Sequence, residues 1–493
     1  MIIMKKLSLI CLAFFGLSFQ SIAGEFWFQP EKAILFEISI TNTKPLVTKV
    51  FNISQSAQLC IQDKGNTKSM RDRFIEAYSV DLKHGRVEYR VCKDSFPETL
   101  IQLEELPKAC LEPLQSDDPK INFDALWHFY NEYYPSFEER LSEKGLTWDA
   151  IYGQFAPKVN SNTKSTDLYQ VLSEMLAILR DGHTALYAPD ENHDFEDDFY
   201  NLREDKKTLL QAFQNSWAIS PEDRMGTVKQ LGVSLIQNFN IIDKYYLEEA
   251  HHGPERSLSD DWFTPQSVYS WGVLKNRPEI GYVRILQELN FEGEQSFQEQ
   301  FEQANKTIRD MMHFFRHKKI AGLVVDLRLN YGGKDAINNS FTRYLLDKKR
   351  LVQQVKQHYY GARKKTISHY LSPNLESIRP RSNQFPIYIL TSQLTSSAGE
   401  ILTLQLKALD KTTQIGYKTD GIFADTHTRT LPNGWIYQLP FNKNMSHDGQ
   451  FYEGKGIPPE ILFDESHYYL LRKYMENNQD LILDAILDNQ FIR

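Results

Sequence analysis

Three clusters in this 493-residue chain combine residue types that perform acyl chemistry. The first is Thr395-Ser396-Ser397-Ala398-Gly399-Glu400, which follows the apolar run Pro386 to Leu390 and opens a helical pattern over Ile401 to Ala408. A serine at the head of a helix lies where unpaired backbone N–H groups and the helix dipole stabilise an oxyanion, and Ala398 and Gly399 leave room for a substrate carbonyl. The same residues also read as a plain helix start, with Ser397 as N-cap and Glu400 closing a capping box. The second cluster is Asp326-Leu327-Arg328-Leu329-Asn330-Tyr331-Gly332-Gly333 after a buried strand. Paired glycines let backbone approach a ligand and turn an amide toward it, as half of an oxyanion hole requires. An ordinary strand-to-helix turn would look similar, and the combination with Ser397 gives the reading its weight. The third is His183 in Asp181-Gly182-His183-Thr184. A hydroxyl nucleophile needs a base, and this histidine sits at the end of an element, not on an apolar helical face, where a structural histidine would sit. Glu453, in the Gly-rich Tyr452-Glu453-Gly454-Lys455-Gly456-Ile457-Pro458-Pro459, is the carboxylate that could orient the imidazole, against the alternative of a surface glutamate.

The elements that must position these groups follow from periodicity. Residues 24–115 hold short alternating or β-branched runs, such as Ile34 to Ile40 and Val87 to Val91, which predict a β-rich N-terminal domain. In 120–185, helical spacing links Phe123, Leu126, Trp127, Tyr130 and Tyr134 until Pro135 breaks it. A short helix follows over Trp148 to Phe155. A third, capped by Ser165 or Thr166, presents Leu168, Val171, Leu172, Met175, Leu176 and Leu179 on one face and leads to His183. Residues 186–270 form a charged linker or insert whose acidic run from Asp190 to Asp198 meets no calcium-loop spacing and reads as a solvated loop. From 271 to 475 strands alternate with helices: Ile280 to Ile285, a helix striped by Phe297, Phe301, Ala304, Ile308, Met311 and Phe315, Gly322 to Leu327, and Pro386 to Leu390. That order predicts an α/β core with a largely parallel sheet and its functional loops at one edge. Residues 476–493 read as a C-terminal helix or tail.

Composition narrows the function classes. With 41% hydrophobic, 13% aromatic and 24% charged residues the chain is globular in type, and at a formal charge of −8 with no basic stripe it is a poor nucleic-acid binder. Lys5 and Lys6, the apolar Leu7 to Leu17 and Ser21-Ile22-Ala23 have the form of a signal peptide over 1–23, which predicts an exported protein beginning at Gly24. Cys11 falls too soon after the lysines for a lipoprotein site; a retained leader acting as a tether is the alternative. The run is shorter than the roughly 20 residues of a spanning helix and no later stretch qualifies, so no integral membrane domain is expected. Past the leader only Cys60, Cys92 and Cys110 remain, allowing one disulfide of open pairing and one thiol, with no zinc-ligand spacing.

The series Leu179 to Thr184, Gly281 to Ile285, Asp326 to Gly333, Thr395 to Glu400 and Glu453 to Pro459 resembles the C-terminal-processing and tricorn-core family of serine peptidases, in order, over about residues 120 to 465. The segment Phe123 to Phe155 is similar to the small helical subdomain that precedes their catalytic sheet. The resemblance implies a crotonase-like catalytic domain and activity on peptides or unfolded proteins, with no metal or organic cofactor. It also separates two catalytic designs. The processing branch uses a Ser-Lys dyad, and Ile422 stands where its lysine would be. The tricorn branch uses Ser, His and Glu, which match Ser397, His183 and Glu453, although Gly182 replaces the further serine that precedes its histidine. The Ala398 amide and an amide of the Gly332-Gly333 turn would form the oxyanion hole. A PDZ-type module, carried by many relatives, has no convincing counterpart here. A non-catalytic ligand- or peptide-binding protein on the same fold, or an esterase, is the rival reading; an intact proton-transfer set argues against a pure binder.

Overall fold

The computed structural model describes residues 25–188 apart from short breaks at 31, 42–43, 55–57, 64–78, 84–85 and 91, then 241–254, 267–288, 297–359, 363–379, 384–463 and 479–488. The expected signal peptide and the acidic run from Asp190 to Asp198 lie outside the described residues. The chain divides into two compact units, each discontinuous in sequence. The first is Met1–Tyr200 with Gln357–Lys365 and Asp425–Asn442; the second is Asn201–Lys356 with Thr366–Ala424 and Lys443–Arg493.

The first unit opens with a seven-stranded antiparallel sheet. Its order is Leu59–Gln62, Lys44–Ser54, Ile34–Thr41, Glu25–Gln29, Glu98–Leu103, Arg86–Arg90, Ser79–Lys83. Alternation along Ile34–Thr41 sends Ile34, Phe36 and Ile38 into one apolar cluster and Leu35 into another with Phe28, Phe51 and Ile53, so both faces of this part of the sheet are covered. Cys60 and Cys110 form the disulfide, tying strand Leu59–Gln62 to the short helix Lys108–Leu111. Cys92 is the leftover thiol, and burial pushes it up to about 11.

Helix Pro119–Tyr133 starts where Asp118 accepts from Lys120 N and Ile121 N, and helix Trp148–Phe155 starts where Thr147 accepts from Ala150 N. The third helix, Ser165–Ala177, corrects the expected cap. Lys164 is the extended N-cap residue, no side chain caps the helix, and Ser165 is its first helical residue. The helices pack Phe123, Leu126, Phe129, Leu172 and Met175 into one buried cluster. That cluster is completed by Leu431, Trp435, Tyr437 and Leu439 from hairpin Thr426–Thr430/Ile436–Pro440, whose second strand pairs with Ala185–Tyr187. The Tyr130 hydroxyl donates to Gln438 O at 2.7 Å, and the buried Arg429 guanidinium lies 5.3 Å from the Phe129 ring centre and 5.0 Å from that of Tyr133. Residues 425–442 thus cluster with the first unit, although in sequence they fall among the α/β elements.

The second unit is built on a seven-stranded sheet in the order Ile461–Leu462, Thr412–Gly416, Ile387–Thr391, Gly322–Asp326, Arg277–Ile285, Tyr269–Leu274, His251–His252. The first five are mutually parallel and the last two are added antiparallel. Gly322–Asp326 and Ile387–Thr391 are buried at every position, as strands covered on both faces must be. Helix Phe297–Lys318 buries Phe301, Ala304, Ile308, Met311 and Phe315. Tyr282, Val324, Tyr388 and Ile415 meet Ile482, Leu483 and Ile486 of helix Leu481–Leu487. Asp480 caps that helix and accepts from Arg328 Nη2 at 2.7 Å, while Arg328 Nε donates to Asp326 Oδ1 at 2.9 Å. Burial disfavours the charge of Asp326, yet Arg328 beside it keeps its carboxyl below the ordinary value.

Candidate active site

Strand Ile387–Thr391 runs out into a loop stapled to the end of the neighbouring strand. Thr395 Oγ1 donates to Leu327 O at 2.7 Å and Ser396 N to Asn330 O at 2.9 Å. The loop ends at Ser397, the N-cap of helix Ala398–Lys407, with φ 52° and ψ −123°. An L-residue in such a conformation carries about 1–3 kcal/mol of strain, held here by the surrounding hydrogen bonds. Ser397 makes no side-chain capping bond, so the capping-box reading is corrected. Its backbone oxygen receives Glu400 N and Ile401 N, at 2.9 and 3.1 Å, while its own N–H goes to Ile422 O at 3.0 Å.

Glu400 has a different task. Its two carboxylate oxygens accept from Gly421 N and Ile422 N, each at 2.7 Å. Glu453 takes the next two amides, Oε2 accepting from Phe423 N at 3.0 Å and Ala424 N at 3.2 Å. Four successive amides of one segment are therefore held by two buried carboxylates, and Glu453 is not a surface residue. Ile422, whose amide is one of the four, is itself buried.

The glycine turn closes on the same serine. Gly332 has φ +100°, and a Cβ there would stand 2.6 Å from Ser397 Cβ and 2.9 Å from Ala398 N. Ala398 is the first residue of its helix, so its N–H has no partner within it. The Gly332 N–H is committed to Asn330 Oδ1 at 2.8 Å, while Gly333, at φ +149°, lies against the backbone of Glu288.

His183 belongs to the first unit; Ser397, Ala398, Gly332, Gly333 and Glu453 belong to the second. The histidine follows helix Ser165–Ala177 in a turn organised by Asp181, whose Oδ1 accepts the His183 N–H at 2.9 Å. Asp181 is buried. Tyr134 donates to its Oδ2 at 2.8 Å and Arg140 stands 3.7 Å from Oδ1. Burial opposes its charge, but Arg140 and His183 keep its carboxyl below the ordinary carboxylate range. Among the described residues no group of His, Cys, Asp and Glu could hold a metal ion, and no helix is long and apolar enough to cross a membrane.

Three contributors escaped the sequence reading. Glu400 was visible only as a capping partner, because its i+3 spacing from Ser397 suits that role as well. Asn330 lay inside the recognised turn without a role of its own. Asp181, two residues before His183, carried only the weak signal of proximity.

Residues 279–463 match the model of peptidase family S41, and residues 116–177 match that of the tricorn protease C1 domain. A probable CtpA-like serine protease of Staphylococcus aureus strain N315 is 27% identical over 149 residues, 30% of this chain and 28% of its own length. Its counterpart in Staphylococcus epidermidis is 26% identical over 162 residues, 33% of this chain and 31% of its own. The chain thus spans under a third of the length of these curated relatives. A crystal structure of a protein from Parabacteroides merdae shares the fold with a TM-score of 0.53, at 19% identity, over 76% of this chain and 98% of that one. With the two family models following one another in this order, the chain carries a region of peptidase family S41 over residues 279–463, with a tricorn protease C1 domain over residues 116–177 ahead of it.

Proposed function

We propose that this protein is an exported serine peptidase that hydrolyses peptide bonds in peptides or unfolded proteins through an acyl-enzyme on Ser397. The carrying observation is the conformation of Ser397: a strained serine at a helix start, uncommitted to capping, with the Gly332 turn packed against its Cβ. The α/β part is assigned a crotonase-like catalytic core, preceded by the helical subdomain and the N-terminal β-rich domain. Likeness to relatives named as serine proteases supports the peptidase class.

In the proposed mechanism His183 takes the Ser397 proton as the hydroxyl attacks the scissile carbonyl. The Ala398 amide and a turn amide receive the oxyanion. Since the Gly332 N–H already donates to Asn330, the Gly333 amide is the one assigned. The imidazolium then protonates the leaving amine, and water, deprotonated by the same histidine, releases the acyl group and regenerates Ser397. Glu453 orients the imidazole and stabilises its charge; the two amides on its Oε2 fix the carboxylate for that purpose.

The test is labelling of the purified protein with a fluorophosphonate, followed by mass spectrometry of the modified peptide. Ser397→Ala should abolish labelling and turnover. Ser396→Ala, which removes only a 3.2 Å bond to Tyr331 O, should retain much of both. A Ser397→Ala protein that still turns over substrate would end this reading.

A further inference from the structure

The Gly332-Gly333 turn is held from behind by a buried pair that the mechanism above does not use. The Asn330 carboxamide donates through Nδ2 to Ile285 O at 3.1 Å and to Glu288 Oε1 at 2.9 Å, and accepts through Oδ1 from Gly332 N at 2.8 Å. Its orientation is set by these partners, since two oxygens face Nδ2 and one N–H faces Oδ1. Its main chain serves the nucleophile loop as well, Asn330 O receiving Ser396 N at 2.9 Å. The helix start is fitted to the same side chain: a Cβ on Gly399 would meet Asn330 Oδ1 at 2.5 Å. Glu288 completes the arrangement. Its N–H donates to Gly332 O at 3.1 Å, and its backbone packs on Gly333 so closely that a Cβ there would stand 2.8 Å from Glu288 N and C.

We propose that Glu288 is a positioning residue for the reaction, acting through Asn330 to hold the Gly332-Gly333 turn, and with it the Gly333 amide, against Ser397. This rests on the peptidase reading given above. Glu288 is fully buried, and the titratable group facing it is the Tyr269 phenol of the adjacent strand, itself buried. Among the described residues no cation compensates a charge at this place, and burial pushes the Glu288 carboxyl up to about 8 despite the Asn330 hydrogen bond. The neutral acid accepts from Asn330 without adding negative charge behind a turn that must receive an oxyanion. Ionisation would oppose that developing charge and destabilise the buried pair.

Two arms test the proposal, using the whole protein. In the first, hydrogen exchange is followed by mass spectrometry in peptides covering residues 328–334. Glu288→Ala should speed exchange of the turn about tenfold, the effect of losing roughly one hydrogen bond, and Glu288→Gln should not. In the second, kcat and KM are measured from pH 6 to 9 on protein whose Ser397 reacts with a fluorophosphonate. Glu288→Ala should lower kcat about 10- to 100-fold with little change in KM, as expected for displacing an oxyanion donor. Glu288→Gln should restore kcat near neutrality and abolish a loss of activity that the parent protein shows as pH rises through about 8. Wild-type kcat in Glu288→Ala, or a Glu288→Gln protein that keeps the parent's alkaline loss, would overturn the proposal. Should the alanine protein not fold, the Gln pH profile alone decides. Failure of the parent protein to label at Ser397 would instead overturn the peptidase reading, and the exchange arm would still judge the brace.

Discussion

Replacing Gly332 by alanine tests how closely the glycine turn approaches Ser397. The substitution has two separable costs. One is conformational: at φ +100° a Cβ is strained by about 1–2 kcal/mol wherever it is placed. The other is local. The new methyl would stand 2.6 Å from Ser397 Cβ, 2.9 Å from Ala398 N and 3.0 Å from Ser396 O, whereas carbon atoms rest at about 3.5–4.0 Å, so the turn and the serine must part by close to 1 Å. Misplacement of that size costs about 100-fold in rate when it falls on reacting groups. Gly434→Ala supplies the control, because Gly434 has a similar φ of +91° and nothing within 4 Å of its Cβ position. Both variants should lose a few degrees of Tm. Only Gly332→Ala should lose fluorophosphonate labelling and peptide turnover, by about two orders of magnitude, measured against the fraction of folded protein. Equal labelling rates in the two variants would refute the placement of the turn against the reacting serine.

The choice of catalytic base yields to substitution as well. His183→Ala should lower kcat about 10³- to 10⁶-fold and Glu453→Gln by an intermediate factor, while Lys418→Ala and Lys455→Ala should cost little. A pH–kcat/KM profile with an acid limb within a unit or so of about 6.5 would agree with the histidine. A dead lysine variant beside an active His183→Ala would favour a rearranged Ser-Lys dyad. Separately, the Cys60–Cys110 bridge closes a sequence separation of 50, which by chain entropy corresponds to about 4 kcal/mol. The double serine variant should therefore unfold at visibly lower urea, and an unchanged midpoint would refute that estimate.

Much of the second unit could be read from sequence because parallel strands covered on both faces leave uninterrupted apolar runs, as in Gly322–Asp326 and Ile387–Thr391. Helix Phe297–Lys318 announced itself by its apolar stripe. The helix after Ser397 was expected from Ile401 and starts at Ala398. Small residues carry no periodic signal, and these are the ones that leave space at the site. The pairing of Cys60 with Cys110 and the buried places of Glu288 and Arg429 depend on partners remote in sequence, for which local pattern holds no record. Glu400 shows a subtler failure. A correct local rule proposed a partner for it, and a better pair of donors at Gly421 and Ile422 took the carboxylate instead.

The hairpin that completes the first unit's core has a consequence for biosynthesis. Phe129, Tyr130 and Leu172 emerge from the ribosome early, yet the residues that cover them, among them Trp435, Tyr437 and Leu439, follow about 250 residues after strand Ala185–Tyr187. At about 5–20 residues per second, that is a delay of roughly 12–50 s during which an aromatic-rich surface waits for its cover. Domain-by-domain folding during translation is therefore closed to this chain as far as the helical layer is concerned. Closing contacts such as Tyr130 to Gln438, 308 positions apart, makes folding slow for its size and gives chaperones a long window in which to bind.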